Sequence, residues 1–379
     1  MRKTLFKLHG YLALLACIPL ILICLTGSIL VFKAELDRLL LPGVASLPTE
    51  YAQTQPSRLP MTNLIALVNQ QNPEFEIGSW ELFDDYQEAD RVYLIKHGTS
   101  SWYKIWLNPY QGNQLSQPVP YNAAFTDWLL ELHYTLLLND VTDVSELGTL
   151  IGLLAGMCLF LLGLTGLIIY RKFWRGFLRF HLDRRFQVAI RDLHKLMGIW
   201  VSPVLFIIGI TGVYYNLTAY LEETAEQEKG EHLMVSRLYN DQLNISAIIA
   251  DSRQQLTGFV PTYLLMPYEP KLPITLYGYV PEQQPFASDY TVAISYDKLT
   301  GTHLSNYNVA DNHFGWQLVD SFRSLHFGTF AGLVSKIIWC AGGILMVIMP
   351  LTGVYLWLKR QSKRRHPRKF VANTHQTSE

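Results

Sequence analysis

The chain of 379 residues has no cysteine outside its apolar runs: Cys17, Cys24, Cys158 and Cys340 all fall within them. No CxxC pair is present, which excludes a thiol-redox motif and a structural zinc site. CxxCH is absent as well, so covalent c-type haem attachment is excluded. With no GxGxxG, no flavin motif and no cluster-spacing cysteines, the sequence shows no electron source of its own.

Charge is missing from four stretches: residues 10–32, 147–170, 196–221 and 337–358. Each exceeds the roughly 20 residues that cross a hydrocarbon core as a helix. None shows the polar stripe of a soluble surface helix. Four transmembrane helices are expected. The basic start "MRKTLFK" also suits a signal peptide, but signal apolar regions run to only about 7–15 residues, so the first run reads as a retained helix. Because the spans hold no Asp, Glu, Lys or Arg, a transporter that carries ions or protons on such groups is disfavoured.

The net charge of zero conceals a segregation. Residues 1–9, 171–195 and 359–379 hold 18 of the 31 Lys and Arg and three acidic residues; residues 33–146 and 222–336 hold the other 13 basic residues against 28 acidic ones. By the positive-inside rule the basic segments, with "RKFWRGFLRFHLDRR" and "KRQSKRR", are cytoplasmic. Both termini then lie inside and two acidic regions outside. Beside membrane spans the basic loop is a topology signal, and no nucleic-acid partner is expected. His181 and His366 fall in these basic segments.

The chain repeats itself at a period near 185 residues. His9 is followed by Pro19 and Thr26-Gly27; His194 is followed by Pro203 and Thr211-Gly212, with 17 residues from histidine to threonine both times. The second and fourth spans end alike, "GLTGLIIYRK" against "PLTGVYLWLKR", each with Thr-Gly (Thr165-Gly166, Thr352-Gly353). Between spans, "LPMTNLIALVNQQNP" and "LNISAIIADSRQQL" have helical spacing. "RVYLIKHG", "WYKIWLNPYQGNQL", "ITLYGYV" and "TVAISYDKLTGTHL" read as strands, with turns at Gly112 and Gly301. Two small α+β modules are expected, each one helix against an antiparallel sheet. Their tryptophans, Trp80, Trp102, Trp106 and Trp316, read as module core before binding platform.

Leu-His occurs four times beside these spans, at His9, His133, His194 and His326. On the expected topology two histidines stand at each membrane face, one from each repeat. Seventeen residues of helix rise about 26 Å, so each face also receives two Thr-Gly pairs from the other helices. Neutral imidazole is a good axial ligand for haem iron. Glycine lets a bulky group or a backbone approach a helix. Spacing leaves two readings open: interfacial histidines with packing glycines, or a bis-histidine b-type haem at each face, two in all. His97, His232, His303 and His313 lie in the modules, where exposure or a turn role is the default.

These segments resemble the PepSY-associated transmembrane family of iron-regulated membrane proteins over most of the length. "LHGYLALLACIPLILICLTGSILVF" is similar to its first span, "RDLHKLMGIWVSPVLFIIGITGVYY" to its third and "SLHFGTFAGLVSKIIWCAGGILMVIMPLTGVYLWLKR" to its fourth. "WLNPYQGNQL" and "ISYDKLTGTHL" resemble PepSY module ends, with Asn108 in place of Asp and Lys298 in place of Pro. The resemblance implies a bacterial inner-membrane protein organised as a first span (1–33), a periplasmic module (34–126) and an external helix with the second span (127–170). A basic loop (171–195), third span (196–221), second module (222–322), fourth span with its lead-in (323–358) and basic tail (359–379) complete it. It implies a di-haem reductase passing electrons from a cytoplasmic reductase or a quinol to a periplasmic ferric siderophore. The axial ligands would be His9, His133, His194 and His326, in a pairing the sequence leaves open. The Thr-Gly pairs would line the haems, and Arg323 is placed to meet a propionate unless it is an interfacial anchor. The alternative is a membrane-anchored, non-enzymatic PepSY sensor or inhibitor.

Overall fold

A computed structural model describes residues 2–83, 85–139, 146–170, 172, 186–229 and 232–365. His181, His366 and most of the two basic segments lie outside the described residues. The first repeat runs α1 (Arg2–Leu15), α2 (Cys17–Leu30), α3 (Lys33–Leu40), α4 (Tyr51–Thr54), α5 (Met61–Gln71), β1 (Phe75–Glu81), β2 (Asp90–Lys96), β3 (Trp102–Leu107), β4 (Val119–Pro120), α6 (Phe125–Thr135) and α7 (Leu147–Ile169). The second runs α8 (Phe186–Lys229), α9 (Ile245–Gln255), β5 (Val260–Leu265), β6 (Ile274–Tyr279), β7 (Val292–Tyr296), β8 (His303–Asn308), α10 (Phe314–Phe327) and α11 (Gly332–Arg365).

Helices α7, α8 and α11 are long and apolar enough to cross a membrane. The first run is instead a pair, α1 and α2, bent by 65° at Ala16, which makes a fourth span if counted as one. Pro19 favours the bend: it has no N–H for the Leu15 carbonyl, and its ring crowds that carbonyl. Pro203 sits at the matching place in α8 without breaking it. There the carbonyl freed by the proline, that of Ile199, accepts from the Ser202 hydroxyl at 2.9 Å. Pro350 likewise lies inside α11 without breaking it, although Met349 before it has no hydroxyl, so a proline does not by itself decide the break.

The expected pair of separate sheets is corrected by the topology. All eight strands form one antiparallel sheet, in the order β4-β3-β2-β1-β5-β6-β7-β8. The halves meet at β1 and β5, with Ser79 opposite Leu265 and Glu81 opposite Tyr263. Each half-sheet would otherwise present an unpaired inner edge, and pairing satisfies both rows of backbone groups. Helices α5 and α9 follow the same two-fold logic. Thr62 N–H donates to Ser246 Oγ and Ser246 N–H donates to Thr62 Oγ1, both at 3.0 Å. Beneath them lies one continuous core that includes Leu64, Ile77, Trp80, Leu264 and Ile294, each at most 1% exposed. Burying each such side chain stabilises by about 1.5–3 kcal/mol.

Asn108 does the work of the aspartate it replaces: its Oδ1 accepts from the N–H groups of Tyr110 (3.0 Å) and Gln111 (3.3 Å). Asp297 accepts in the same way from Leu299 and Thr300 in the second repeat. Gly112 and Gly301 both have positive φ, 75° and 74°. Gly278 is needed for space, since a Cβ there would overlap the Val260 carbonyl oxygen on the paired strand. Gly278→Ala should therefore destabilise the sheet by about 1–3 kcal/mol. Denaturant unfolding followed by tryptophan fluorescence checks this as a lowered midpoint.

Candidate functional site at the two ends of the helix bundle

All four histidines belong to helices. His9 belongs to α1, and His194 to α8, which begins eight residues earlier at Phe186 and continues past residue 221 to Lys229. His133 lies near the end of α6 and His326 near the end of α10, the short helices between the sheet and the bundle. Arg323 is thus a residue of α10, which Gly328 (φ 68°) separates from α11.

Each histidine meets the threonine of a Thr-Gly pair within its own repeat. His9 Nδ1 lies 2.9 Å from Thr165 Oγ1, and His133 Nδ1 lies 3.0 Å from Thr26 Oγ1. His194 Nδ1 lies 2.8 Å from Thr352 Oγ1, and His326 Nδ1 lies 2.7 Å from Thr211 Oγ1. The four threonines are 2–8% exposed. Each hydroxyl already donates to a carbonyl one turn back on its own helix: Thr26 to Leu22, Thr165 to Leu161, Thr211 to Ile207, Thr352 to Met349. With its proton so placed, the hydroxyl offers the ring a lone pair. Nδ1 therefore carries the imidazole proton, and Nε2 keeps its lone pair. Three rings have a second reason to hold this tautomer, a backbone carbonyl that can only accept. These are Ile23 for His133 at 2.9 Å, Leu162 for His9 and Met349 for His194. Among the described residues, His326 Nδ1 has Thr211 alone.

The glycines play two parts. At Gly27 a Cβ would come within 2.8 Å of His133 Cε1 and push the ring away. At Gly166, Gly212 and Gly353 it would sit 3.5, 3.7 and 3.6 Å from the ring, an ordinary contact. Those three leave open helix surface beside the imidazole instead of making room for the imidazole itself.

His133 and His326 come from different repeats and face each other, with ring centres 6.5 Å apart and planes at 62°. Two bonds of about 2 Å from imidazole nitrogens to one metal put ring centres roughly 6 Å apart, close to this spacing. His9 and His194 stand at the far end of the bundle, each on its own threonine. The structure thus places two histidines at each end of the bundle, with a ring-to-ring contact between His133 and His326. A cavity lies beside His133 and His326, which both line it. Its wall includes five glycines, Gly27, Gly152, Gly156, Gly212 and Gly343, among largely apolar side chains. The apolar lining, the five glycines and the pair of Nε2 lone pairs are the chemistry that would hold a b-type haem.

Arg323 is held by stacking, with its guanidinium carbon 4.5 Å over the Tyr290 ring and 5.1 Å over Phe327. Its charge reaches Tyr134 and Tyr215, which line the cavity. The module tryptophans divide: Trp80 and Trp106 are core, Trp102 packs edge-on to Tyr268, and Trp316 is 51% exposed. His313 caps α10 by accepting from Gly315 N–H at 3.2 Å, and His303 pairs with Asn306. His97 lies 3.5 Å from Glu76.

Sequence reasoning missed the joint between sheet and bundle. Lys104 of β3, 2% exposed, pairs with Asp127 of α6, and Lys33 lies 2.9 Å from the same carboxylate. Burial pushes the Asp127 carboxyl up, but the two lysines outweigh it and hold it below the usual carboxylate range. Asp127 and Asp320 both stand six residues before a histidine, in "TDWLLELH" and "VDSFRSLH", a signal legible in the repeat.

A family model described as the PepSY-associated TM region matches residues 6–360. An uncharacterized protein of Pseudomonas aeruginosa is 25% identical over 259 residues, which are 62% of this chain. The matched part spans 64% of that protein's length.

Proposed function

The chain belongs to the PepSY-associated transmembrane family, and on that premise we propose that it is a di-haem membrane reductase. It takes electrons from a cytoplasmic reductase or a membrane quinol and delivers them to a ferric siderophore in the bacterial periplasm. One observation carries the reading: four threonines, repeat by repeat, take the Nδ1 proton of four histidines and so leave each Nε2 free to bind iron. Interfacial histidines in a sensor or inhibitor would have no need of this uniform hydrogen bond.

A b-type haem held by each histidine pair would supply one-electron storage. The chain's own residues do the rest. Thr26 and Thr211 orient one pair of rings, Thr165 and Thr352 the other, as outer-shell partners orient metal ligands. The apolar wall of the cavity excludes water, and the Arg323 guanidinium near its edge suits a propionate. With the sheet in the periplasm, the pairs stand at opposite membrane faces. An inside-negative potential then favours outward movement of an electron by about 2.3 kcal/mol per 100 mV. One electron converts the bound iron(III) to iron(II), which hard oxygen ligands hold less tightly.

The test is anaerobic. Protein reduced with dithionite and desalted is mixed with a ferric trihydroxamate, and iron(II) is trapped by a ferrous-selective chromogenic chelator. Reoxidation of the protein with one iron(II) formed per electron is expected. Protein that stays reduced before the chelate, yet is oxidised at once by ferricyanide, contradicts the substrate.

A further inference from the structure

The helices that carry His133 and His326 are fastened to the sheet as well as to the bundle. Six residues of helix rise about 9 Å, so Asp127 and Asp320 stand well away from their histidines along α6 and α10. Asp127 receives Lys104 from β3, Lys33 at 2.9 Å and the Ala124 N–H at 3.1 Å. Lys33 also lies 2.8 Å from Asp37, whose carboxylate takes the Thr126 hydroxyl. Asp320 accepts from the Ser288 hydroxyl (2.7 Å), the Ser288 N–H (3.0 Å) and Gln284 Nε2 (2.9 Å), all on the connection between β6 and β7. Ser324, two residues before His326, donates to the Phe286 carbonyl of the same connection.

The plainer reading is that both aspartates are helix caps. A cap needs only a backbone N–H, and Asp127 has one. Two lysines from separate elements, one of them buried, go beyond that need. Desolvating such a pair costs several kcal/mol per ion, so buried pairs are weak evidence of stability, and fixing one arrangement is their best-attested use. Asp320 has no lysine and reaches a different partner, yet it makes the same joint. Two solutions at one repeat position point to the joint as what matters.

We infer that Asp127 and Asp320 are positioning residues for the His133–His326 pair: each fixes its helix against the sheet, and together they set the separation of the two rings. Among the described residues His9 and His194 have no such tie, so the geometry of the sheet acts on one pair only. The inference rests on the haem reading for its main readout.

The experiment uses the full chain, haem-loaded, as wild type, Asp127→Asn, Asp320→Asn and Ser288→Ala. Low-temperature EPR resolves two ferric low-spin signals, and the one missing in His326→Ala marks the sheet-proximal site. Loss of haem to apomyoglobin gives a rate for each site. The expected result in all three variants is a shift of the sheet-proximal signal alone. Its haem should leave about 10–100-fold faster, the usual cost of an outer-shell change, with the other site unchanged. Equal effects at both sites, or none at either, overturn the inference. Asp127→Asn leaves Lys104 buried beside a neutral partner; if it does not fold, Asp320→Asn and Ser288→Ala decide, since they strand no lysine. If the wild type takes up no haem, the haem reading fails separately. Hydrogen exchange then decides: about tenfold faster exchange in α6 of Asp127→Asn, with α7 unchanged, supports the joint, and unchanged exchange in α6 overturns it.

Discussion

His326→Ala is expected to yield a folded protein that holds one haem per chain in place of two. The ring of His326 lies 6.5 Å from that of His133 between centres, and among the described residues no third imidazole belongs to that pair. Removing it leaves a single ligand, and a bis-histidine site with one ligand loses its low-spin character or its haem. The far pair, His9 and His194, sits at the other end of the bundle and shares no hydrogen bond with His326 among those described. Its haem should keep its spectrum. His194→Ala should give the mirror result, losing the other haem. Haem quantified per chain by the pyridine haemochromogen assay, alongside EPR, checks both. Two haems retained in His326→Ala, or both lost, would reject the assignment of ligands.

The threonines should behave unequally, and the hydrogen bonds say which matters most. Valine keeps the shape of threonine and removes its oxygen. In Thr26→Val the His133 Nδ1–H still has the Ile23 carbonyl at 2.9 Å. In Thr165→Val and Thr352→Val the carbonyls of Leu162 and Met349 play that part. His326 has no such substitute among the described residues, so in Thr211→Val its Nδ1–H is left without a partner. Thr211→Val is therefore expected to weaken haem binding at the sheet-proximal site by about 10–100-fold. The other three should change it by less, on the order of threefold, because their rings keep the tautomer. Haem transfer rates to apomyoglobin measure all four. Four equal effects, or a silent Thr211→Val, would contradict the account of how Nε2 is kept free.

Much of the site is written locally and in duplicate. The Leu-His pairs, the Thr-Gly pairs and the 17-residue interval are visible because the repeat copies them, and a helix converts such an interval into a distance. The helices α5 and α9 and strands β2, β3, β6 and β7 follow from local patterns in the same way. What the sequence hides is long-range pairing. The junction of β1 with β5 sets Ser79 against Leu265, and no local period in "FEIGSWE" indicates a partner so far along the chain. The pairing of His133 with His326 crosses repeats and depends on how two helix pairs pack. The bend at Ala16 is half legible: Pro19 announces it, but Pro203 and Pro350 announce one equally, and α8 and α11 run through them. Asp127 and Asp320 align in the repeat, yet their partners, a buried lysine and a loop serine, come from unrelated positions. Charge alone did not single them out among 31 acidic residues.

The central claim is that paired histidines hold haem at both ends of the bundle. Its most direct test is the absorption spectrum of the full-length protein, expressed with ample haem, recorded oxidised and then dithionite-reduced, with haem counted per chain. Two haems per chain, with sharp reduced α and Soret bands of six-coordinate low-spin iron, are expected. A folded protein that comes off the column colourless contradicts the claim.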